Sequence, residues 1–188
     1  MHDRLGTLTV YAGPMFAKKT TSVFMEVETA LEEKKHVVVY KPVIDTRKDE
    51  EDVVTHDGVS LYRRYGIKAM RVPLDYDFIP YGHDVVVIEE AQFFNDSIID
   101  AVVRLMEHGV HVVVSGLDLD SNGQPFGAMP ALMCLATHVQ KLHGSCQNCK
   151  RPSTRTYRKP EAGSETVLVG AEEIYVPMCL DCWESRRL

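Results

Sequence analysis

The sequence lacks any long hydrophobic run. None of its apolar stretches approaches the roughly 18 residues a helix needs to cross a bilayer, so no membrane span is expected. It also lacks an excess of positive charge. Its 21 lysines and arginines stand against 27 aspartates and glutamates, a net charge of −6. That argues against coating a nucleic acid with the whole surface and leaves room only for a local basic patch. There is no internal repeat and no low-complexity tract. The opening Met1-His2-Asp3-Arg4 runs almost at once into a strand-like segment, so no signal peptide is expected and the default compartment is the cytoplasm. What remains is ordinary for a folded chain: 188 residues, 45% hydrophobic and 26% charged, enough for one domain or one domain with a small appendage.

The first two-thirds alternate strand and helix patterns. Residues 7–12 read as a strand entering a glycine loop. Residues 20–33 carry apolar side chains at 23, 24, 27, 30 and 31, a helical spacing. Residues 36–40 are a β-branched run, 68–72 a short strand, and 84–88 the clearest buried strand. Residues 96–108 read as a helix with Asn95 or Asp96 as N-cap and Gly109 as its stop. Residues 110–115 read as a strand, 116–127 as a loop and 129–136 as a helix. Between them, 41–58 is polar, holds Pro42 and four acids at 49–52, and is expected to be a mobile surface loop with a solvated acidic face. Strands alternating with helices imply an α/β fold with a parallel sheet covered on both faces. After Leu142 the composition shifts to Gly, Pro, Cys and short polar runs, which places a boundary between residues 1–142 and a small module over 143–188.

Two half-motifs carry chemistry. Gly13-Pro14-Met15-Phe16-Ala17-Lys18-Lys19-Thr20 follows the first strand. A phosphate-binding loop needs a tight turn whose N–H groups face the phosphates. Behind it stand a helix N-terminus, a lysine for the terminal phosphates and a hydroxyl for magnesium. Gly13, Lys19 and Thr20 fill those places, and the eight residues together are the candidate ATP contacts. The second glycine of the pattern is replaced by Lys18. A side chain held left-handed there costs about 1–2 kcal/mol. The alternative is a plain loop-to-helix turn capped by a threonine. The second half-motif is the run Val85-Val86-Val87-Ile88 ending in Glu89-Glu90. A carboxylate at the C-terminal end of a buried parallel strand lies at the site edge of a sheet. Glu89 suits magnesium, and Glu90 suits a general base on the attacking hydroxyl. The alternative is a pair of exposed acids capping a helix start.

Four of the five cysteines form Cys146-x-x-Cys149 and Cys179-x-x-Cys182, two knuckles matching a tetrahedral structural zinc site; with a reducing compartment expected, disulfides are set aside. Cys134 lies in an apolar segment and is expected to be a buried, inert thiol. His138 and His143 are expected on the surface rather than as ligands. Residues 141–159 hold six Lys/Arg and no acid, which raises a nucleic-acid-binding zinc ribbon as a rival. Only Tyr157 offers a stacking face there and the chain is acidic, so nucleic acid is not the expected partner.

The chain resembles the type II, cytosolic-type thymidine kinases over about residues 5–183. The match rests on Gly-Pro-Met-Phe-x-x-Lys-Thr, Glu90-Ala91-Gln92-Phe93-Phe94, Pro125-Phe126-Gly127 and the late pair of Cys-x-x-Cys motifs. Thr55-His56-Asp57-Gly58, Gly116-Leu117-Asp118 and the segment 169–175 support it. The resemblance implies a RecA-like P-loop core, a zinc-bearing lasso and a homotetramer. It also implies transfer of the γ-phosphate of ATP, with Mg2+, to the 5′-hydroxyl of a deoxynucleoside, thymidine giving dTMP. By position, Lys19 and Thr20 would hold phosphates and magnesium, and Asp45 and Arg47 would approach the metal waters and the moving phosphoryl group. Glu90 would be the base, with Met15, Phe93, Phe126, Thr156, Val167, Gly170 and Tyr175 around the nucleoside. Each has a plainer reading: core aromatics for the phenylalanines, a surface ion pair for Asp45 and Arg47, an ordinary strand threonine for Thr156, packing for Met15 and Tyr175. Three departures fall inside the site: Lys18 for glycine, Glu89 for aspartate, and Ser121-Asn122 where the family carries an aromatic facing the base. They raise a second reading, a weak or inactive nucleotide-binding relative with a regulatory or assembly role.

Overall fold

The computed structural model describes residues 5–45, 52–160 and 174–186. Its centre is a six-stranded sheet built from β1 (Leu8–Ala12), β2 (Val37–Pro42), β3 (Ala69–Val72), β4 (Val85–Ile88), β5 (His111–Gly116) and β6 (His138–Lys141). The spatial order is β3-β2-β4-β5-β1-β6, and every neighbouring pair is parallel. The inner strands are buried on both faces, as their continuous Val/Ile/Leu runs dictate.

The two-residue period of the strands sorts the core into two layers. Leu8, Val10, Val86, Ile88, Val112 and Val114 face α3 (Ser97–Glu107) and α4 (Met129–Leu135). Tyr11, Val39, Val85, Val87 and Val113 face α1 (Lys19–Glu32), which buries Val23, Phe24, Val27 and Ala30 on one stripe. Asn95 caps α3 by accepting from the Ser97 N–H at 3.0 Å, and Gly109, at φ +80°, ends it. A five-residue helix, α2 (Leu61–Tyr65), starts at Ser60, whose hydroxyl accepts from the Arg63 N–H at 3.0 Å.

The cysteine-bearing segment forms two small antiparallel pairs, β7 (Gly144–Ser145) with β8 (Pro152–Ser153) and β9 (Arg155–Arg158) with β10 (Tyr175–Met178), followed by α5 (Leu180–Glu184). Cys146, Val176, Met178, Cys179, Cys182 and Trp183 make its own apolar cluster.

Three expectations are corrected. Cys134 is exposed, because α4 buries only Met129 and Leu132 and the cysteine stands on the opposite side of that short helix. Lys41 and Pro42 are buried strand residues rather than loop. Residues 52–60 are tied down: the Asp52 carboxylate accepts from the Ser60 hydroxyl at 2.5 Å and the Tyr62 N–H at 3.1 Å, and its carbonyl accepts from the Lys41 ammonium at 2.6 Å. Asp52 is thus a structural tie; the other acids of that run, 49–51, lie outside the described residues.

Candidate functional site

β1 delivers the chain into the turn at Gly13, which has φ +148°. A Cβ there would lie 2.4 Å from the Leu142 carbonyl oxygen, so only glycine fits. Lys18 then stands before α1 at φ 61°, ψ 28°, the left-handed geometry a glycine would supply. Phe16 is also left-handed. The Lys19 ammonium donates to the Gly13 and Pro14 carbonyls at 3.1 and 2.8 Å, so it arches over the loop. No acidic residue occupies the first turn of α1, and no side chain caps it. The threonine-cap alternative therefore fails, and the positive end of a 14-residue helix lies behind the loop.

β4 ends in the two carboxylates. Glu89 is 4% exposed; its Oε2 accepts from the Ser115 hydroxyl at 2.5 Å, and Ser115 is itself buried on β5. Glu90 takes φ 54° before a single 3₁₀ turn (Ala91–Phe93), and its side chain does not cap that turn. Its Oε2 instead accepts from the Gln92 amide at 2.6 Å. Gln92 is buried, and its Oε1 accepts from the Leu117 N–H at 3.0 Å. Gly116 permits this approach, since a Cβ there would sit 2.7 Å from that same Oε1. The exposed-acid alternative thus misses the burial of Glu89 and the orientation of Glu90. Because β5 alone separates β4 from β1, the phosphate loop and the carboxylates leave the same sheet edge about 9–10 Å apart. Asp45, half-buried beyond β2, joins that edge through its N–H, which donates to the Pro42 carbonyl at 3.0 Å.

The cysteine-bearing module closes on the loop. The Met15 N–H donates to the Thr156 hydroxyl at 3.0 Å in a buried contact. Phe93 and Phe126 meet edge to face at 5.8 Å between centroids, both half-buried. Tyr175 is buried and pairs with Arg158 across β9–β10. Ser121 and Asn122 lie in a tight turn in which the Asp120 carboxylate accepts from the N–H groups of Asn122 and Gln124 at 2.9 and 2.8 Å. Arg47, Val167 and Gly170 fall outside the described residues.

The ligand atoms of Cys146, Cys149, Cys179 and Cys182 all lie within 4.8 Å of one another. Tetrahedral Zn–S bonds of ~2.3 Å imply sulfur–sulfur separations of about 3.8 Å, so the four residues fit that ion. Arg151 supports them, donating to the Cys149 and Cys179 sulfurs at 3.4 and 3.6 Å while paired to Asp181 at 2.8 Å. Its guanidinium draws the Cys149 thiol below the usual range. Burial pushes Cys146 up, but N–H groups of Cys149, Cys179 and Asn148 outweigh it and bring that thiol down to about 6. Without a cation the four sulfurs compete for charge. At Cys179 the N–H of Cys182 favours the thiolate, but burial and the neighbouring thiols win and raise it to about 11.

Several site neighbours were not read from the sequence: Ser115, Gln92, the buried Lys41, and the ion pair of Lys141 with Asp118 at 2.8 Å, Asp118 being 5% exposed. Gln92 had a signal in its place two residues after Glu90. Three cations of the basic run have internal partners, Lys141 on Asp118, Arg151 on Asp181 and Arg155 over the Trp183 ring. A family model described as thymidine kinase matches residues 6–183.

Proposed function

The chain belongs to the thymidine kinase family, and on that premise we propose that it transfers the γ-phosphoryl group of ATP to the 5′-hydroxyl of a pyrimidine deoxynucleoside, thymidine giving dTMP. One observation carries the reading. Lys19 arched over a glycine turn and Glu89–Glu90 at the end of β4 share one edge of the sheet, with only β5 between their strands. The ammonium of Lys19 and the N-terminus of α1 hold the triphosphate. Thr20, Glu89 and Asp45 are the residues that would hold Mg2+, which would neutralise charge on the phosphates. Glu90, oriented by the Gln92 amide, takes the proton of the 5′-hydroxyl as its oxygen bonds to the γ-phosphorus. The bond to the β–γ bridging oxygen breaks and ADP leaves. Arg47 belongs in this scheme by sequence position alone. Met15, Phe93, Phe126, Thr156, Val167, Gly170 and Tyr175 are the proposed nucleoside contacts.

Lys18 adopts the geometry of the glycine it replaces, which supports the active reading over the weak-relative one. The wider proposal is a cytoplasmic homotetramer with a core over 1–142 and a zinc-bearing lasso over 143–188. Light scattering giving a four-chain mass supports the assembly; a monomer mass removes it.

The test is transfer of labelled γ-phosphate to thymidine, deoxyuridine and modified pyrimidine nucleosides, in the parent and in Lys19→Ala. Nucleoside-dependent transfer that collapses in the variant is expected. Absence of transfer to every nucleoside, with no calorimetric uptake of Mg-ATP, overturns the reading.

A further inference from the structure

Trp183 is the chain's single tryptophan, and it follows Cys182 directly in the sequence. It sits on α5 at 4% exposure, inside the apolar cluster that contains Cys146, Cys179 and Cys182. Its far edge reaches the turn at Gly123. A Cβ placed on Gly123 would lie 2.9 Å from Cη2 of the ring and 3.2 Å from Cζ2. Gly123 has φ +78°, so the turn uses glycine both for its backbone angle and for the close approach of an indole.

That turn belongs to the candidate nucleoside site. It runs from Asp118, whose carbonyl accepts from the Phe126 N–H at 3.1 Å, and it is closed by the bridge between Leu119 and Pro125. Inside it, the Asp120 N–H donates to the Gln124 carbonyl at 2.9 Å, and the Gly123 N–H donates to the Asp120 carbonyl at 3.1 Å. Beyond it stands Phe126, edge to face with Phe93. The tip of the turn carries small polar residues, Ser121 half-buried and Asn122 exposed. The indole presses on it at Gly123, and it is fixed on its own side by the Arg155 guanidinium, 5.8 Å from the ring centroid. Arg155 is next to Thr156, which accepts the Met15 N–H of the phosphate loop.

We propose that Trp183 is a positioning residue for the nucleoside pocket. Packed on the cysteine cluster, it holds the 118–126 turn against the core, so the order of the metal module sets nucleoside affinity. The inference rests on the nucleoside-site reading above. It differs from a general stabilising role in acting on one substrate and not the other.

Trp183→Ala, compared with Trp183→Phe, tests this. Trp183→Ala raises the nucleoside KM roughly tenfold with the ATP KM and bound zinc unchanged, and Trp183→Phe restores most of the loss. Hydrogen exchange of the Asp120, Asn122, Gly123 and Gln124 amides accelerates in Trp183→Ala, and in the parent after zinc is removed. Should Trp183→Ala fail to fold, Gly123→Ala attacks the same contact from the other side and leaves the cysteine cluster intact. It gives the same KM signature and a shifted Trp183 emission. Nucleoside and ATP KM values rising together, or unchanged exchange at those four amides, overturn the proposal. If the parent phosphorylates no nucleoside, the functional reading fails on its own account. The exchange rates in Gly123→Ala and in zinc-free parent then still decide whether Trp183 holds the turn.

Discussion

A lysine held left-handed carries a cost that its replacement removes. Lys18→Gly relieves the crowding between its Cβ and its own carbonyl, partly offset by the extra freedom of glycine in the unfolded chain. The variant is expected to gain about 1 kcal/mol, read as a higher urea midpoint at unchanged slope. Gly13→Ala is the contrast: its Cβ meets a backbone oxygen at 2.4 Å, and Leu142, directly after β6, is held by its own N–H, which donates to the Ala12 carbonyl at 2.7 Å. It should lose more stability than Lys18→Gly gains, in the same unfolding assay. Glu90→Gln preserves a partner for Gln92 but removes the base. Steady-state kinetics should show kcat lower by about 100-fold or more with both KM values little changed. A fall confined to KM would mark Glu90 as a binding group instead.

At the scale of elements, α1 is bolted to two strands by a polar chain. The Tyr11 hydroxyl donates to Glu26 at 2.6 Å, Glu26 lies 3.8 Å from His111, and His111 Nδ1 meets the Thr7 hydroxyl at 2.6 Å. Burial lowers the His111 pKa, against the opposing pull of the Glu26 carboxylate and with a smaller push from Lys35. The folded state therefore prefers neutral imidazole, and the unfolded chain binds more protons just below its ordinary value of about 6.5. This contribution is complete above about 6.5 and is lost as pH falls toward the depressed folded value. Melting temperatures between pH 5 and 8 should fall on the acid side, and the difference between parent and His111→Gln should shrink there.

The same elements show what was legible. Runs such as Val85–Ile88 and the stripe at 23, 24, 27 and 30 announce themselves because burial on two faces or one stripe leaves a periodic mark. α2 buries only Leu61, and all four residues of β6 are exposed, so neither leaves one; backbone pairing with β1 holds β6 in place. Within the site, the phosphate loop and the carboxylates were readable because each is contiguous. Thr156 on Met15, Lys141 on Asp118 and Trp183 on Gly123 join segments remote in sequence, and nothing in either partner alone announces the other.

For the whole molecule, the module after Leu142 has, among the described residues, six buried ones in its cluster, three of them cysteines. So small a core would lean on a metal held by the four cysteines. Chelation at neutral pH should move Trp183 emission to the red and lower the melting temperature, while far-UV circular dichroism of the sheet and its helices persists. An unmoved emission would show that the cluster stands without a cation.

The position of β1 has a consequence for how the chain is made. Its two neighbours are β5, beginning at His111, and β6, ending at Lys141. The ribosome therefore releases Leu8–Ala12, a strand destined for complete burial, long before either partner exists. Until then the segment is a sticky ribbon open to chaperones and to other nascent chains. A message cut short before residue 111 yields neither neighbour, and the nucleotide loop at the end of that strand has nothing to seat it.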